Sequence, residues 1–306
     1  IMIGKDGRVT MNRRKKAGME RKLFGQYLII VLPGVIIFTI GLIIPLIMSV
    51  RYSLTDWDGM DLDKHFVGLD NYVKMFQDRE FLDAWWFTIK FTVLNTVIQN
   101  IGALLLALAL DSGIKAKKIY RTVFFVPCLI SALVVGFIWM KMFANVLPAL
   151  NDWLGTNINF MLFGSKKTVL SGLLIANNWQ WIGYWSLIYL AGLQSIPSEL
   201  YEAAKVDGAN GIKRFFSVTI PMLAPSITIC VVGITTGSLK VYDLLVSSTA
   251  GGPGRASTSV IYKIYTTALN GRQYGYGSAM TVTLVIVLLL VALIQVKQLK
   301  SREVQA

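Results

Sequence analysis

Residues 201–216 read YEAAKVDGANGIKRFF. Charged and rich in helix formers, the stretch interrupts a chain otherwise written for lipid. Apolar runs near 169–192 and 222–246 flank it, each of the ~20-residue length that a helix needs to cross a hydrocarbon core. A polar connection between two such runs belongs in water on one side of a membrane.

Four further runs of the same kind lie near 26–50, 84–110, 119–146 and 276–296. Six crossings define an all-α polytopic membrane protein. The composition agrees, with 54% hydrophobic and only 15% charged residues and a mean hydropathy of +0.57. One membrane domain is expected at 26–296, between a basic tail at 1–25 and a short tail at 297–306, with 193–221 as its polar connection. RRKK at Arg13–Lys16 precedes the first run, and no small-residue cleavage site follows a short apolar core. A retained helix is expected there rather than a cleaved signal.

A net charge of +13 could suit nucleic acid, so the placement of the charges decides. Of 30 Lys and Arg, 18 lie in the two tails and in 111–121 and 193–221, against 9 in the alternate loops 51–83, 147–168 and 247–275. Excess cations mark the cytoplasmic side of a membrane protein. Both termini and the opening stretch are therefore expected in the cytoplasm, and the partner implied is membrane lipid, with no nucleic acid. Lys90 and Lys141, inside runs, read as snorkelling toward an interface, and Lys240 and Asp243 are spaced to pair. The two cysteines, Cys128 and Cys230, each fall in a run and read as buried thiols. His65, the only histidine, lies in an acidic outer loop without partners for metal or catalysis.

In the outer loops, FVGLDNYVKMFQDREFLDAWW reads as a short amphipathic helix leading into the second span, with Trp85 and Trp86 at interface depth. GGPG at Gly251–Gly254 signals a turn, followed by a re-entrant or surface helix over 255–275 that ends in a flexible QYGYG. In the opening stretch, Ser195 or Ser198 can cap a helix SELYEAAKV, and Gly208 permits the positive φ that stops it. A second amphipathic segment, GIKRFFSVTI, runs up to Pro221. Such a helix, turn, helix unit can dock a partner through small Ala203 and Ala204 beside Tyr201, Phe215 and Phe216, or it can rest on headgroups.

This stretch resembles the EAA motif of binding-protein-dependent ABC importer permeases, matched by Glu202, Ala203, Ala204, Gly208 and the pair Ile220 and Pro221, with Ile220 where the family often has Leu. The resemblance extends along the chain through FVGLDNY, RTVFFVPCLISALVVGFIWMKMF, AGGPG and YGYGSAM, all similar to the sugar-type branch that includes maltose and multiple-sugar systems. It implies a type I importer permease fold in a bacterial or archaeal cell membrane. It further implies a coupling helix, carried by Glu202, Ala203, Ala204, Asp207 and Gly208, seated in a cytoplasmic ATPase. The implied partners are a second homologous permease, two ATPase subunits, and an extracytoplasmic solute-binding protein that docks on the loops 51–83 and 247–275 and delivers a carbohydrate. The chain has no G-x-x-x-x-G-K-[ST] loop, FGSKKT at Phe163–Thr168 lacking the spacing, so ATP and Mg belong to partner subunits and no cofactor is expected here.

Polar residues within spans usually face a bundle interior or a watery path. Asn177, Gln180, Trp181 and Tyr184 fall on one face of the fourth span. Amides and aromatic planes suit a sugar, and the resemblance points to the same positions, although a belt of interfacial aromatics has the same composition. Thr235, Ser238 and Tyr242 form a second face in the fifth span, as pathway lining or as helix packing. Import of glycerol phosphate would need a cationic pocket at mid-membrane. An ion-driven secondary transporter would need embedded acids and an inverted repeat. The first lacks its cations on this neutral face, and the second has only Asp243, near one end.

Overall fold

The computed structural model describes residues 29–300 apart from 61, 62, 114, 157 and 159, together with the backbone of a two-residue strand pair, Met2–Ile3 against Val9–Thr10. The rest of the basic tail at 1–25, with its RRKK, the start of the first expected span and positions 301–306 lie outside the described residues.

The described chain is helical. Helix α1 (Ile29–Tyr52) ends in a turn held by Asn71, whose Nδ2 donates to the carbonyls of Ser53 and Thr55 at 2.9 and 2.8 Å. Short α2 (Asp70–Gln77) leads through Asp78 into α3 (Arg79–Asp111), with Asp78 capping the N-terminus by accepting from the backbone N–H groups of Glu80 and Phe81. This is the amphipathic lead-in expected from the sequence. It joins α3 because the Asp78 carboxylate suits the orphan amides of a helix start. By length and apolarity, four described helices can cross a membrane: α1, α3, α5 (Ala132–Leu154) and the last helix, Tyr274–Lys300.

The third span expected over 119–146 is instead two helices, α4 (Lys117–Phe125) and α5, separated by a tight turn at Val126–Leu129. Pro127 explains the break, since it supplies no N–H and cannot extend the α4 ladder. Cys128 consequently sits half-buried in that turn rather than inside a regular span, whereas Cys230 is buried.

Helix α6 (Val169–Gln194) lies against α3 and shares two cores with it. Toward one end are Phe87, Phe91, Leu173 and Leu245, and toward the other Ala107, Tyr189, Leu193 and Leu223. After α6 come α7 (Ser198–Val206) and α8 (Gly211–Met222), the latter bent by 69° from α9 (Ala224–Leu239). The fifth span expected over 222–246 thus ends at Leu239. Lys240 terminates α9 and Asp243 opens the separate helix α10 (Asp243–Ser248), and the two exposed residues are not among the ion pairs of the described chain. Helix α10 lies against α5, where a Cβ on Gly136 would collide with Ser247 Oγ.

The GGPG turn leads to α11 (Val260–Tyr265) and, through a wide turn at Thr266–Asn270, to α12 (Tyr274–Lys300). QYGYG is no flexible connector. Gly275 is buried, its N–H donates to the Trp57 carbonyl at 2.8 Å, and a side chain there would collide with the Thr55 carbonyl. The glycines permit close approach of α12 to the 53–57 turn.

Candidate coupling hairpin and transport path

The hairpin starts where α6 ends. Ile196 is buried among Leu193, Leu223 and Tyr189, which ties the connection to the membrane domain. Neither expected serine caps α7: Pro197 occupies the cap, and the Ser195 hydroxyl turns back to donate to the Gly192 carbonyl at 2.8 Å. Asn210 caps α8 by accepting from the Lys213 N–H at 2.8 Å. Asn three residues before a basic turn is a recognisable cap signal.

Between the helices Gly208 adopts φ +73°, and the N–H groups of Gly208 and Ala209 reach back to the carbonyls of Lys205 and Ala204 at 3.0 and 2.9 Å. This glycine-ended closure satisfies the last carbonyls of α7. The two helices are clasped by the hydroxyls of Tyr201 and Thr219, 3.0 Å apart. Glu202, Ala203, Asp207 and Gly208 are exposed and Ala204 half-buried, so the structure gathers these five on one small protruding unit. Beside them Val206, Ile212 and Phe216 are exposed at 88, 74 and 66%. Three large apolar side chains on a polar hairpin form an unpartnered surface.

The four positions in register on α6 part company. Gln180 is fully buried, and its Nε2 donates to the Ile130 carbonyl at 2.8 Å, a group released by the Pro127 break. Asn177 and Trp181 are half-buried and Tyr184 exposed, the rings of the latter two meeting edge to face at 5.9 Å. These three share an open face of amide and aromatic groups. Tyr242 lies elsewhere, with its ring 5.7 Å from Tyr265 and 6.4 Å from Tyr262.

Thr235 and Ser238 are buried in a polar seam. Asn95 Nδ2 donates to Ser238 Oγ at 2.8 Å, Asn178 Nδ2 donates to Asn95 Oδ1 at 3.0 Å, and Gln295 Nε2 donates to Thr235 Oγ1 at 3.1 Å. The seam joins α3, α6, α9 and α12. Asn95, Gln99 and Asn178 were visible as amides within apolar runs, but only neighbouring helices show what they meet. Among the described residues no group of His, Cys, Asp and Glu could hold a metal ion.

The family model for binding-protein-dependent transport system inner membrane components matches residues 99–302. The chain is 35% identical over 284 residues to the probable starch degradation products transport system permease protein AmyD of Thermoanaerobacterium thermosulfurigenes, covering 91% of this chain and 95% of that one. It is 33% identical to the multiple sugar-binding transport system permease protein MsmF of Streptococcus mutans, covering 85% and 90% of the two chains. With the sn-glycerol-3-phosphate transport system permease protein UgpA of Salmonella typhimurium the identity is 31%, over 90% and 94%. In fold it resembles a chain of a bacterial ABC transporter involved in the import of the acidic polysaccharide alginate, with a TM-score of 0.80 and 22% identity over 94% of this chain and 99% of that one. These matches agree with the apolar helices and the glycine-turned hairpin, and the chain belongs to the binding-protein-dependent transport system inner membrane components, as a multi-pass permease of the sugar-type ABC importers.

Proposed function

We propose that this chain is the membrane subunit through which an ATP-driven importer passes a carbohydrate, an oligosaccharide rather than a phosphorylated polyol. The observation that carries the proposal is the exposed hairpin, turned at Gly208, with Glu202 and Asp207 beside the uncovered Val206, Ile212 and Phe216. An apolar face on a rigid polar hairpin suits a groove in a motor subunit. Closure of an ATPase pair would then move α6 and α9 as rigid bodies, because the hairpin is continuous with both. The neutral face of Asn177, Trp181 and Tyr184 supports a sugar cargo, since amides pair with hydroxyls and rings stack on C–H faces.

Six crossings with both termini in the cytoplasm complete this reading, α6 crossing as the fourth span and α9 as the fifth, entered from the hairpin through the bend that follows α8. The ATP and Mg sites lie in two partner ATPases, a second permease supplies the other half of the path, and a solute-binding protein delivers the sugar at the far face in a bacterial or archaeal cell membrane. The chain performs no covalent chemistry itself. The test is co-expression with the neighbouring genes and purification through a tag on this chain. An ATPase subunit is expected to co-purify with the wild type and to be lost with Glu202→Ala. A chain that transports in proteoliposomes without ATP would overturn the proposal.

A further inference from the structure

At the end of the membrane domain opposite the hairpin, a cleft of ≈1280 Å³ opens between the start of α3, the approach to α6 and the loops around α11. Its cations divide into three sets. Lys74 donates from Nζ to Gln273 Oε1 at 3.0 Å and stands over the Tyr276 ring. Arg255 pairs with Glu80, and Lys263 pairs with Glu80 at 2.8 Å and Asp78 at 3.6 Å. Lys90, Lys166 and Lys167 also line the cleft and are exposed, and they belong to none of the ion pairs among the described residues; Asp83 is the remaining acid on the wall.

The depth of Lys90 follows from its helix. From Phe91 to Leu110, α3 carries 20 residues without a charge. At 1.5 Å per residue that is ~30 Å, the thickness of a hydrocarbon core. Lys90 therefore sits at headgroup level, its Nζ 4.6 Å from the ring centroid of Trp86, an exposed indole of the kind that marks this level. Directly below, on the same face, Val93, Val97, Ile101 and Leu105 are exposed in a continuous apolar stripe. Cations above an apolar stripe, at this depth, have the layout of a phospholipid.

We infer that this cleft binds the phosphodiester headgroup of an anionic phospholipid, with Lys90, Lys166 and Lys167 meeting the phosphate and the stripe below Lys90 carrying an acyl chain. A basic pocket between helices selects anionic headgroups because several ammonium groups share one phosphate. An acidic segment of a partner protein would use the lysines but leave the stripe below the headgroup level unexplained.

The test uses the full chain in mild detergent, offered phosphatidylglycerol or phosphatidylcholine, with retained lipid counted by native mass spectrometry. The wild type is expected to prefer phosphatidylglycerol, and the triple variant Lys90→Glu, Lys166→Glu, Lys167→Glu to lower that preference about a hundred-fold, by the weight of three surface cations. The matching triple Arg variant, which keeps the charge, is expected to retain it. Equal retention of the two lipids by the wild type, or a preference unchanged in the Glu variant, overturns the inference. So does inorganic phosphate held by these lysines in lipid-free protein, which would make the ligand a free anion. Loss of solute-binding-protein association at unchanged lipid preference would assign the cleft to that partner instead.

Discussion

At Gly208 a Cβ would meet no atom within 4 Å, so space does not restrict the residue; only its φ of +73° does. An L-residue there costs roughly 1–2 kcal/mol, and a β-branched one more. Gly208→Val is expected to distort the hairpin while leaving the membrane domain folded, cutting binding-protein-stimulated ATP hydrolysis by about ten-fold in proteoliposomes, whereas Gly208→Asn, tolerant of this conformation, keeps most of it. Equal activity in the two variants would remove the turn from the coupling path. Gln180 presents the opposite case, a residue whose partner is everything. In Gln180→Leu the Ile130 carbonyl loses its donor inside the protein, a cost of about 1–3 kcal/mol that a thermal unfolding curve in detergent would show as a lower midpoint at unchanged expression. A midpoint equal to the wild type would mean that the break at Pro127 is satisfied some other way.

Among elements, the polar seam decides how α3, α6 and α9 are held. Asn95 bridges to both Ser238 and Asn178, so Asn95→Leu removes two bonds between helices. Such bonds in membrane proteins contribute about 0.6 kcal/mol each, and the loss expected on chemical unfolding is therefore about 1 kcal/mol, with uptake affected less than by the hairpin variant. The elements also show what could be read from the chain beforehand. The hairpin was legible because its signals are local: a helix former run, one glycine that must take positive φ, a proline near the end. The break in the third span was not, since Pro127 and Cys128 lie in an unbroken apolar run and the carbonyl freed there is satisfied by Gln180, some 50 residues on. Helical spacing groups Gln180 with Asn177, Trp181 and Tyr184, but it gives the face of a helix and not what stands opposite. QYGYG misled for a related reason, because glycine signals flexibility and close approach alike, and only the 53–57 turn against Gly275 separates the two.

For the whole molecule, the number of crossings turns on α6. Its 26 residues span ~39 Å at 1.5 Å each, enough for a hydrocarbon core, yet Asn177, Asn178 and Gln180 lower its apolarity below that of the four helices able to cross on composition alone. Two of those amides are buried against α3 and the α4–α5 break, so the lipid is spared them and the helix can cross with its polar atoms inside the bundle. The exposed residues Trp153, before α6, and Val206, after it, then lie on opposite sides of the membrane. With Cys128 and Cys230 replaced by Ala, a single Trp153→Cys is expected to react with a membrane-impermeant maleimide in right-side-out vesicles and a single Val206→Cys only in inverted ones. If both react from the same side, α6 does not cross, the hairpin loses its place beside a cytoplasmic ATPase, and the six-crossing arrangement fails with it. If they react from opposite sides, the buried amides are what let a helix of middling apolarity traverse lipid, and the same seam that lowers its hydropathy holds it in the bundle.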